Sequence, residues 1–445
     1  MTRREWLLAA GAGAAFGQRR SRPNLVFILA DDLGYGDLGC YGQQKILTPH
    51  LDALAKRGVQ FDAAYAGSTV CAPSRCCLMT GLHTGHTRVR GNGKNETVLR
   101  AGDLVLPEVL QSNGYRTAMF GKWGLGQPGT PGYPTKKGWE EWLGYFTQLQ
   151  AHNYYPEILE HNDGILELAG NTGSQRKDYA PDVIHGHALR WLDAQNAAKP
   201  FFLYYNSTLP HANNEMGRDT GNGMQIPNDA PYGAKPWPQV EKNFAAMVTK
   251  LDQYVGSLVA KLEEMKLLDN TLLVFASDNG PHKEGGHDPE FFASRGPLWG
   301  IKRDLYEGGI RVPAMAVWAN QIPAGRRSTE PWAFWDVMPT FCEAARVPAP
   351  EGLDGKSMLL QWQGKGGATH DPFYWEFHEK GFAQAVRQGQ WKAVRTMQGD
   401  LELYDLSTDL GETKNVAAVH PAVLASLREL MKTMRTESAD WPTHG

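Results

Sequence analysis

The sequence predicts an α/β protein in which a large, mostly parallel mixed sheet is flanked by helices and followed by a smaller C-terminal α+β unit. Three features lead there. Apolar runs without alternation, such as NLVFILA from Asn24 and TLLVFAS from Thr271, have the character of strands buried on both faces. Segments of helical period lie between such runs, the order expected of crossover units. The 445 residues exceed one ordinary domain, and their last part reads as short strands with a closing helix.

Taken in order, residues 1–22 read as an export signal of the twin-arginine type. Arg3-Arg4 precede an Ala/Gly-rich apolar run to about Gly17, and Arg19-Arg20 follow it. This places the folded protein in the periplasm or outside the cell. The first strand, Asn24 to Ala30, ends at Asp31-Asp32. Thr48 is placed to cap a helix that has Pro49 at its first position and stops at Gly58. The alternation recurs with PEVLQSNGY before RTAMFGK, PDVIHGHALRWLDAQ before KPFFLYYN, and a long helix near Glu241 to Met265 before TLLVFAS. Its stripe of Phe244, Met247, Val248, Leu251, Val255, Leu258, Val259 and Leu262 is core-facing. Between His211 and Val240 a Gly/Pro/Asn-rich stretch predicts a long surface loop. A helix is expected from Asp336 to Ala345, and a boundary at about Asp371 divides a catalytic unit, 23–370, from a small unit, 371–445. Within the latter, FAQAVRQGQWKAVR and LELYDL read as strands and Pro421 to Met434 as a helix.

Composition narrows the function classes. Lys plus Arg (45) nearly balances Asp plus Glu (48), and no basic block is present, so nucleic acid is not an expected partner. After the N-terminus no stretch is long and apolar enough for a membrane span. An anionic substrate would have to be met by a few buried cations rather than by a broad positive surface. The five cysteines are an odd number without zinc-site spacing, and adjacent Cys76 and Cys77 read as small buried residues.

Cys71 is different. In Cys71-Ala72-Pro73-Ser74-Arg75, Pro73 can start a helix that Gly81 ends, which leaves Cys71 at a helix N-terminus. Free N–H groups there favour an anion and would depress a thiol pKa. Taken alone, the segment admits a thiol nucleophile or a plain buried cysteine. Asp31-Asp32 and Asp278-Asn279 supply three carboxylates and an amide at the ends of two buried strands, oxygen ligands that suit a hard cation.

With Thr80-Gly81 downstream, Cys71 to Arg75 resembles the hallmark of the type I sulfatase family, and the resemblance runs from about Asn24 to Val416. It implies an alkaline-phosphatase-superfamily fold with a smaller C-terminal sheet domain, and oxidation of Cys71 to formylglycine by a formylglycine-generating enzyme. It further implies Ca²⁺ held by Asp31, Asp32, Asp278, Asn279 and the modified Cys71. Lys122 and Lys302 match the family's sulfate-binding lysines, Arg75 the arginine that orients the formylglycine, and His211 the histidine that binds sulfate and protonates the leaving oxygen. The implied reaction is hydrolysis of a sulfate monoester, with a sulfated carbohydrate as substrate. Two rival readings stand beside it: a phosphodiesterase or phosphonate monoester hydrolase of the same superfamily, and a non-catalytic protein that binds sulfated glycans.

One departure stands out. The family commonly has Gly-Lys-Trp-His-Leu-Gly, whereas this chain has Gly121-Lys122-Trp123-Gly124-Leu125-Gly126, so the histidine that contacts the formylglycine hydroxyl is missing. His152, or another histidine brought in by a neighbouring loop, is expected to take over its work. His83, His86 and His282 read as structural histidines, and His152 and His287 as substrate contacts.

Overall fold

In the computed structural model, which describes residues 21–93, 97–367, 371–379 and 381–443, the predicted first strand lies at the centre of the larger sheet. The export-signal expectation falls on residues 1–20, outside the described residues, except for its last two positions. The large sheet comprises β1 (Asn24–Ala30), β2 (Val59–Tyr65), β3 (Arg116–Lys122), β4 (Glu141–Tyr145), β5 (Ile158–His161), β6 (Gly164–Glu167), β7 (Phe201–Asn206), β8 (Thr271–Ser277), β9 (Arg311–Val317), β10 (Arg326–Ser328) and β11 (Trp332–Ala333). Its order is β10-β2-β9-β8-β1-β7-β3-β4-β5-β6, with β11 beside β2. The central strands β8, β1, β7, β3 and β4 are parallel, while β9 runs antiparallel to β8 and β2. This is the mixed, mostly parallel α/β sheet that the sequence predicts.

The lack of alternation in β1 has a direct cause. All seven of its residues are buried. Leu25, Phe27 and Leu29 enter one core, whereas Val26, Ile28 and Ala30 enter the core on the opposite face. The long helix Gln239–Glu264 covers the second face with Phe244, Leu251, Val255 and Leu258. The helices Cys71–Thr80 and Val337–Ala345 pack on the first through Ala72, Cys76, Met79, Met338 and Phe341. Among the described residues no helix is long and apolar enough to cross a membrane.

Local details differ from the sequence reading. The helix expected to begin at Pro73 begins at Cys71, which makes Cys71 itself its first residue. Thr48 sits at the cap position, yet its hydroxyl accepts Gly39 N–H at 2.8 Å instead of capping a helix N–H. The loop after His211 contains the short helix Asn214–Thr220, capped by the Asn213 side chain.

The smaller sheet is antiparallel, in the order β12 (Phe373–Phe377), β13 (Ala383–Gln388), β14 (Trp391–Arg395), β15 (Leu401–Asp405). One face holds the helix Pro421–Thr433 through Leu427 and Met431, against Tyr374, Val386, Ala393 and Leu403. The other face joins the large unit: Phe373, Trp375, Ala385 and Val394 pack with Tyr65, Val70, Cys77 and Trp335.

Lys392 of β14 lies in that junction, fully buried, with Nζ at 2.9 Å from both Glu307 Oε1 and Glu412 Oε1. Replacing it by alanine leaves two buried carboxylates facing each other, with Arg311 and the Tyr65 hydroxyl as remaining partners of Glu307. Lys392→Ala is therefore expected to cost about 3–5 kcal/mol, read as a lower denaturation midpoint.

Candidate active site

Four parallel strands deliver the site to one edge of the sheet. Asp31 and Asp278 follow β1 and β8, whose last residues pair, Ala30 with Ser277. Lys122 ends β3, and Asn206 ends β7 ahead of the turn that carries His211. The carboxyl ends of parallel strands thus bring together residues up to 271 positions apart in the chain, from Asp31 to Lys302. Asn206 braces this edge by donating Nδ2–H to the Lys122 carbonyl at 2.5 Å.

Asp32 has a left-handed backbone, φ 64°, a conformation that costs a non-glycine residue about 1–3 kcal/mol unless its surroundings impose it. They do so here. Its N–H donates to Asp278 Oδ1 at 3.0 Å, and its Oδ1 accepts Asn279 Nδ2–H at 2.7 Å. Gly280 must be glycine because a Cβ there would stand 1.9 Å from the Gly308 carbonyl oxygen, and this close approach docks the Asp278-Asn279 turn on the segment after Lys302. The Lys302 backbone N–H in turn donates to the Pro281 carbonyl at 2.9 Å.

Charges interleave within this frame. Lys122 Nζ lies 2.7 Å from Asp31 Oδ2, and Lys302 Nζ lies 2.8 Å from Asp32 Oδ2. Arg75 grips Asp278 Oδ2 through Nε at 3.1 Å and Nη2 at 2.9 Å, and gives Nη1–H to the Lys122 carbonyl at 2.8 Å. Burial raises the carboxyls of Asp31 and Asp32, but Lys122 and Arg75 bring the first, and Lys302 the second, below the usual range. Asp278 goes the other way. Burial and the charge of Asp31 push it up to about 7 despite Arg75.

Cys71 Sγ lies 3.4 Å from Asp31 Oδ1, and the residue is buried at the helix start. The thiol pKa expected to fall there instead rises well above its ordinary value. Burial and the neighbouring Asp31 carboxylate outweigh the helix terminus.

His211 is buried with Nδ1 2.7 Å from the Ala212 carbonyl oxygen, which makes Nδ1 the protonated nitrogen of the neutral ring. Its Nε2 faces Lys302 Nζ at 3.2 Å, and burial together with the Lys302 charge lowers its pKa to about 3. His152 stacks on His211, ring centroids 4.9 Å apart, with its Nδ1 2.9 Å from Glu215 Oε2. His287 is not brought to the opening: its buried ring lies 3.7 Å from Phe244 and its Nδ1 bonds Glu241 at 2.7 Å. His86 pairs with Asp354, and His282 accepts the Glu284 N–H.

Sequence reasoning did not single out Glu284, Asn206, Gln148 or Glu215. Glu284 accepts from Lys302 at 3.1 Å and from Arg303 at 2.5 Å, six residues after Asp278. Gln148 stands over Gly124: with φ +76° at that glycine, a Cβ there would fall 2.2 Å from Gln148 Nε2.

Comparison with known proteins gives the family. The family model described as Sulfatase matches residues 23–347, and the model for the N-sulphoglucosamine sulphohydrolase C-terminal region matches 298–438. Human arylsulfatase A is 32% identical, over 96% of this chain and 90% of its own length. The N-acetylgalactosamine-6-O-sulfatase of Bacteroides thetaiotaomicron is 26% identical over 94% of each. The crystal structure of Ps i-CgsB in complex with k-i-k-neocarrahexaose superposes with a TM-score of 0.81 at 30% identity, covering 95% of this chain and 94% of that one. Fold and sequence together make the protein a sulfuric ester hydrolase. It belongs to the type I sulfatase family.

Proposed function

We propose that the protein hydrolyses sulfate monoesters of a carbohydrate, with a formylglycine hydrate made from Cys71 as nucleophile and Ca²⁺ bound beside it. The observation that carries this reading is Cys71 at a helix start, 3.4 Å from a carboxylate and inside a buried cluster of alternating charges. A protonated thiol is a poor nucleophile in such a setting. A hydrated aldehyde supplies two hydroxyls, one to attack sulfur and one from which the carbonyl re-forms as sulfate leaves.

The ligands proposed for Ca²⁺ are Asp31, Asp32, Asp278, Asn279 and the modified residue 71. The residues present fit such an ion. Asn279 Oδ1 is buried and has no hydrogen-bond partner, and ligand atoms of Asp31, Asp32, Cys71 and His211 lie within 4.8 Å of one another. Three buried carboxylates with an amide oxygen form a hard-cation donor set. When bound, the ion would polarise a sulfate oxygen and acidify the attacking hydroxyl.

The remaining roles follow from the contacts. Lys122 and Lys302 are held charged by Asp31 and Asp32, so a sulfate group meets fixed cations that need no reorganisation. Arg75 holds Asp278 and the Lys122 carbonyl in place. The negative charge of a sulfate ester beside His211 favours its imidazolium, whose Nε2–H can then protonate the departing alcohol oxygen. His152, stacked on that ring, is retained as a substrate contact and as the base that replaces the missing histidine; the buried position of His287 lends it no such support. The carbohydrate assignment rests on the sugar named in the Bacteroides relative and the oligosaccharide bound by Ps i-CgsB. Export, maturation by a formylglycine-generating enzyme, and the division into units at about residue 371 belong to the same reading.

A substrate panel tests it: N-acetylgalactosamine 6-sulfate, k-i-k-neocarrahexaose, 4-nitrophenyl sulfate and an aryl phosphonate monoester. A sulfated sugar is expected to show the highest kcat/KM, and preference for the phosphonate overturns the reading. Lys302→Ala is expected to lower kcat/KM by about 10²–10³-fold while the bound calcium, measured by elemental analysis, is retained. A calcium-depleted Lys302→Ala protein would contradict the separation of sulfate binding from metal binding.

A further inference from the structure

We infer that Gln148 and the glycine at position 124 form a subsite for the neutral hydroxyls of the sugar next to the sulfate. This deepens the carbohydrate-sulfatase reading and rests on it. Both polar atoms of the Gln148 amide, Nε2 and Oε1, are buried, and neither has a partner. An unmade hydrogen bond on a buried group is costly, and such orphans mark places where a ligand or water completes the network. Gln148 is one of the residues around a cavity of about 380 Å³ whose wall includes Asn92, Gly93, Gly124, Phe146 and Leu149, within the size range of small-molecule sites.

The cavity wall is tied to the reacting centre at two points. Asn92 Oδ1 accepts the N–H of Ala72, the residue after Cys71, at 3.1 Å. Gly124 stands two residues after Lys122, and its N–H donates to the Phe146 carbonyl at 3.0 Å, continuing the pairing of β3 with β4. Gln148 is therefore positioned by the sheet. The turn beyond it is pinned by Thr147 N–H donating to Gln150 Oε1 at 3.1 Å and Gln150 N–H donating to Thr147 Oγ1 at 3.2 Å.

The lining also selects the ligand chemistry. Among the described residues around this cavity none is charged. An amide offers a donor and an acceptor side by side, which suits adjacent hydroxyls. Leu149, at 65% exposure, offers apolar surface to the C–H face of a sugar ring. Gly124 makes the arrangement possible, since any Cβ would displace the Gln148 amide. Loss of the histidine common in the family thus opens a binding position.

The test compares Gln148→Leu and Gly124→Ala with wild type. The readout is the ratio of kcat/KM for the best sulfated sugar of the panel to that for 4-nitrophenyl sulfate, which has no sugar. In both variants the ratio is expected to fall by about tenfold or more, carried by KM for the sugar. Equal losses on both substrates, or an unmoved ratio, overturn the subsite, as does a wild type that hydrolyses 4-nitrophenyl sulfate but none of the sugars. A wild type that hydrolyses neither overturns the sulfatase reading instead. Calorimetric binding of k-i-k-neocarrahexaose then decides the subsite without turnover: weaker binding by folded Gln148→Leu supports it, and unchanged binding rejects it. Should Gly124→Ala not fold, Gln148→Asn, which shortens the amide by one methylene, takes its place with the same expected direction.

Discussion

Cys71→Ala is expected to lower turnover by roughly 10⁴-fold or more while leaving the protein folded. The two halves of this expectation have separate causes. Activity falls because no other residue in the cluster offers a nucleophile: Asp31, Asp32 and Asp278 are engaged by Lys122, Lys302 and Arg75. The fold survives because the Cys71 thiol contributes a weak hydrogen bond, Sγ to Asp31 Oδ1 at 3.4 Å, whereas its helix is packed through Ala72, Cys76, Leu78 and Met79. A stability change of about 1 kcal/mol is the ordinary figure for a substitution that leaves no buried charge unpaired. Protein produced without the modifying machinery is expected to be as inactive as the alanine variant, although its thiol is intact. Mass spectrometry of the Cys71 peptide, with kinetics on the same preparation, checks both statements. Full activity from a preparation carrying only the unmodified thiol would remove the formylglycine mechanism.

The central frame of this site was legible because burial on two faces and chemistry at strand ends both leave marks in sequence. Strands β1 and β8 read as unbroken apolar runs since each face of the sheet has its own core, and Asp31-Asp32 and Asp278-Asn279 interrupt those runs abruptly. Strands β2 and β9 were not legible. VQFDAAY is short of large aliphatic residues, and RVPAMAV carries Pro313, which reads against a strand with neighbours on both sides, as β9 has in β2 and β8. Residues that act through partners were equally silent. Glu284 is one acidic residue in a polar loop, and its importance comes from Lys302 and Arg303, which approach from a later loop. The pKa of Cys71 went the wrong way for a related reason: the helix start is local and visible, while Asp31, 40 positions earlier, reaches the thiol only in the fold. The ring of His287 looked available because it follows the metal-binding turn, yet the long helix supplies Glu241 and Phe244 to enclose it.

Removal of divalent metal is expected to abolish turnover, and Ca²⁺ to restore it, because the proposed ligands are three buried carboxylates beside an unpartnered amide oxygen. Arg75, Lys122 and Lys302 face Asp278, Asp31 and Asp32, and Glu284 is shared between Lys302 and Arg303. Burial and Asp31 together keep Asp278 near 7, and a bound cation would relieve that repulsion and also engage the unpartnered Asn279 Oδ1. Binding to the folded state alone must then raise stability: at calcium a hundredfold above Kd the gain is about 2.7 kcal/mol. Thermal melts with and without Ca²⁺ are expected to separate for wild type and to coincide for Asp278→Ala, which should also lose roughly 10³-fold or more in kcat/KM. The Lys302→Ala variant is expected to keep the calcium-dependent shift in melting temperature, since it removes a cation and none of the proposed ligands. Oxygen donors favour a hard ion over zinc at this site. Recovery of the chelated enzyme by Zn²⁺ but not by Ca²⁺, or an unaltered calcium shift in Asp278→Ala, would overturn the assignment of these residues as a calcium site.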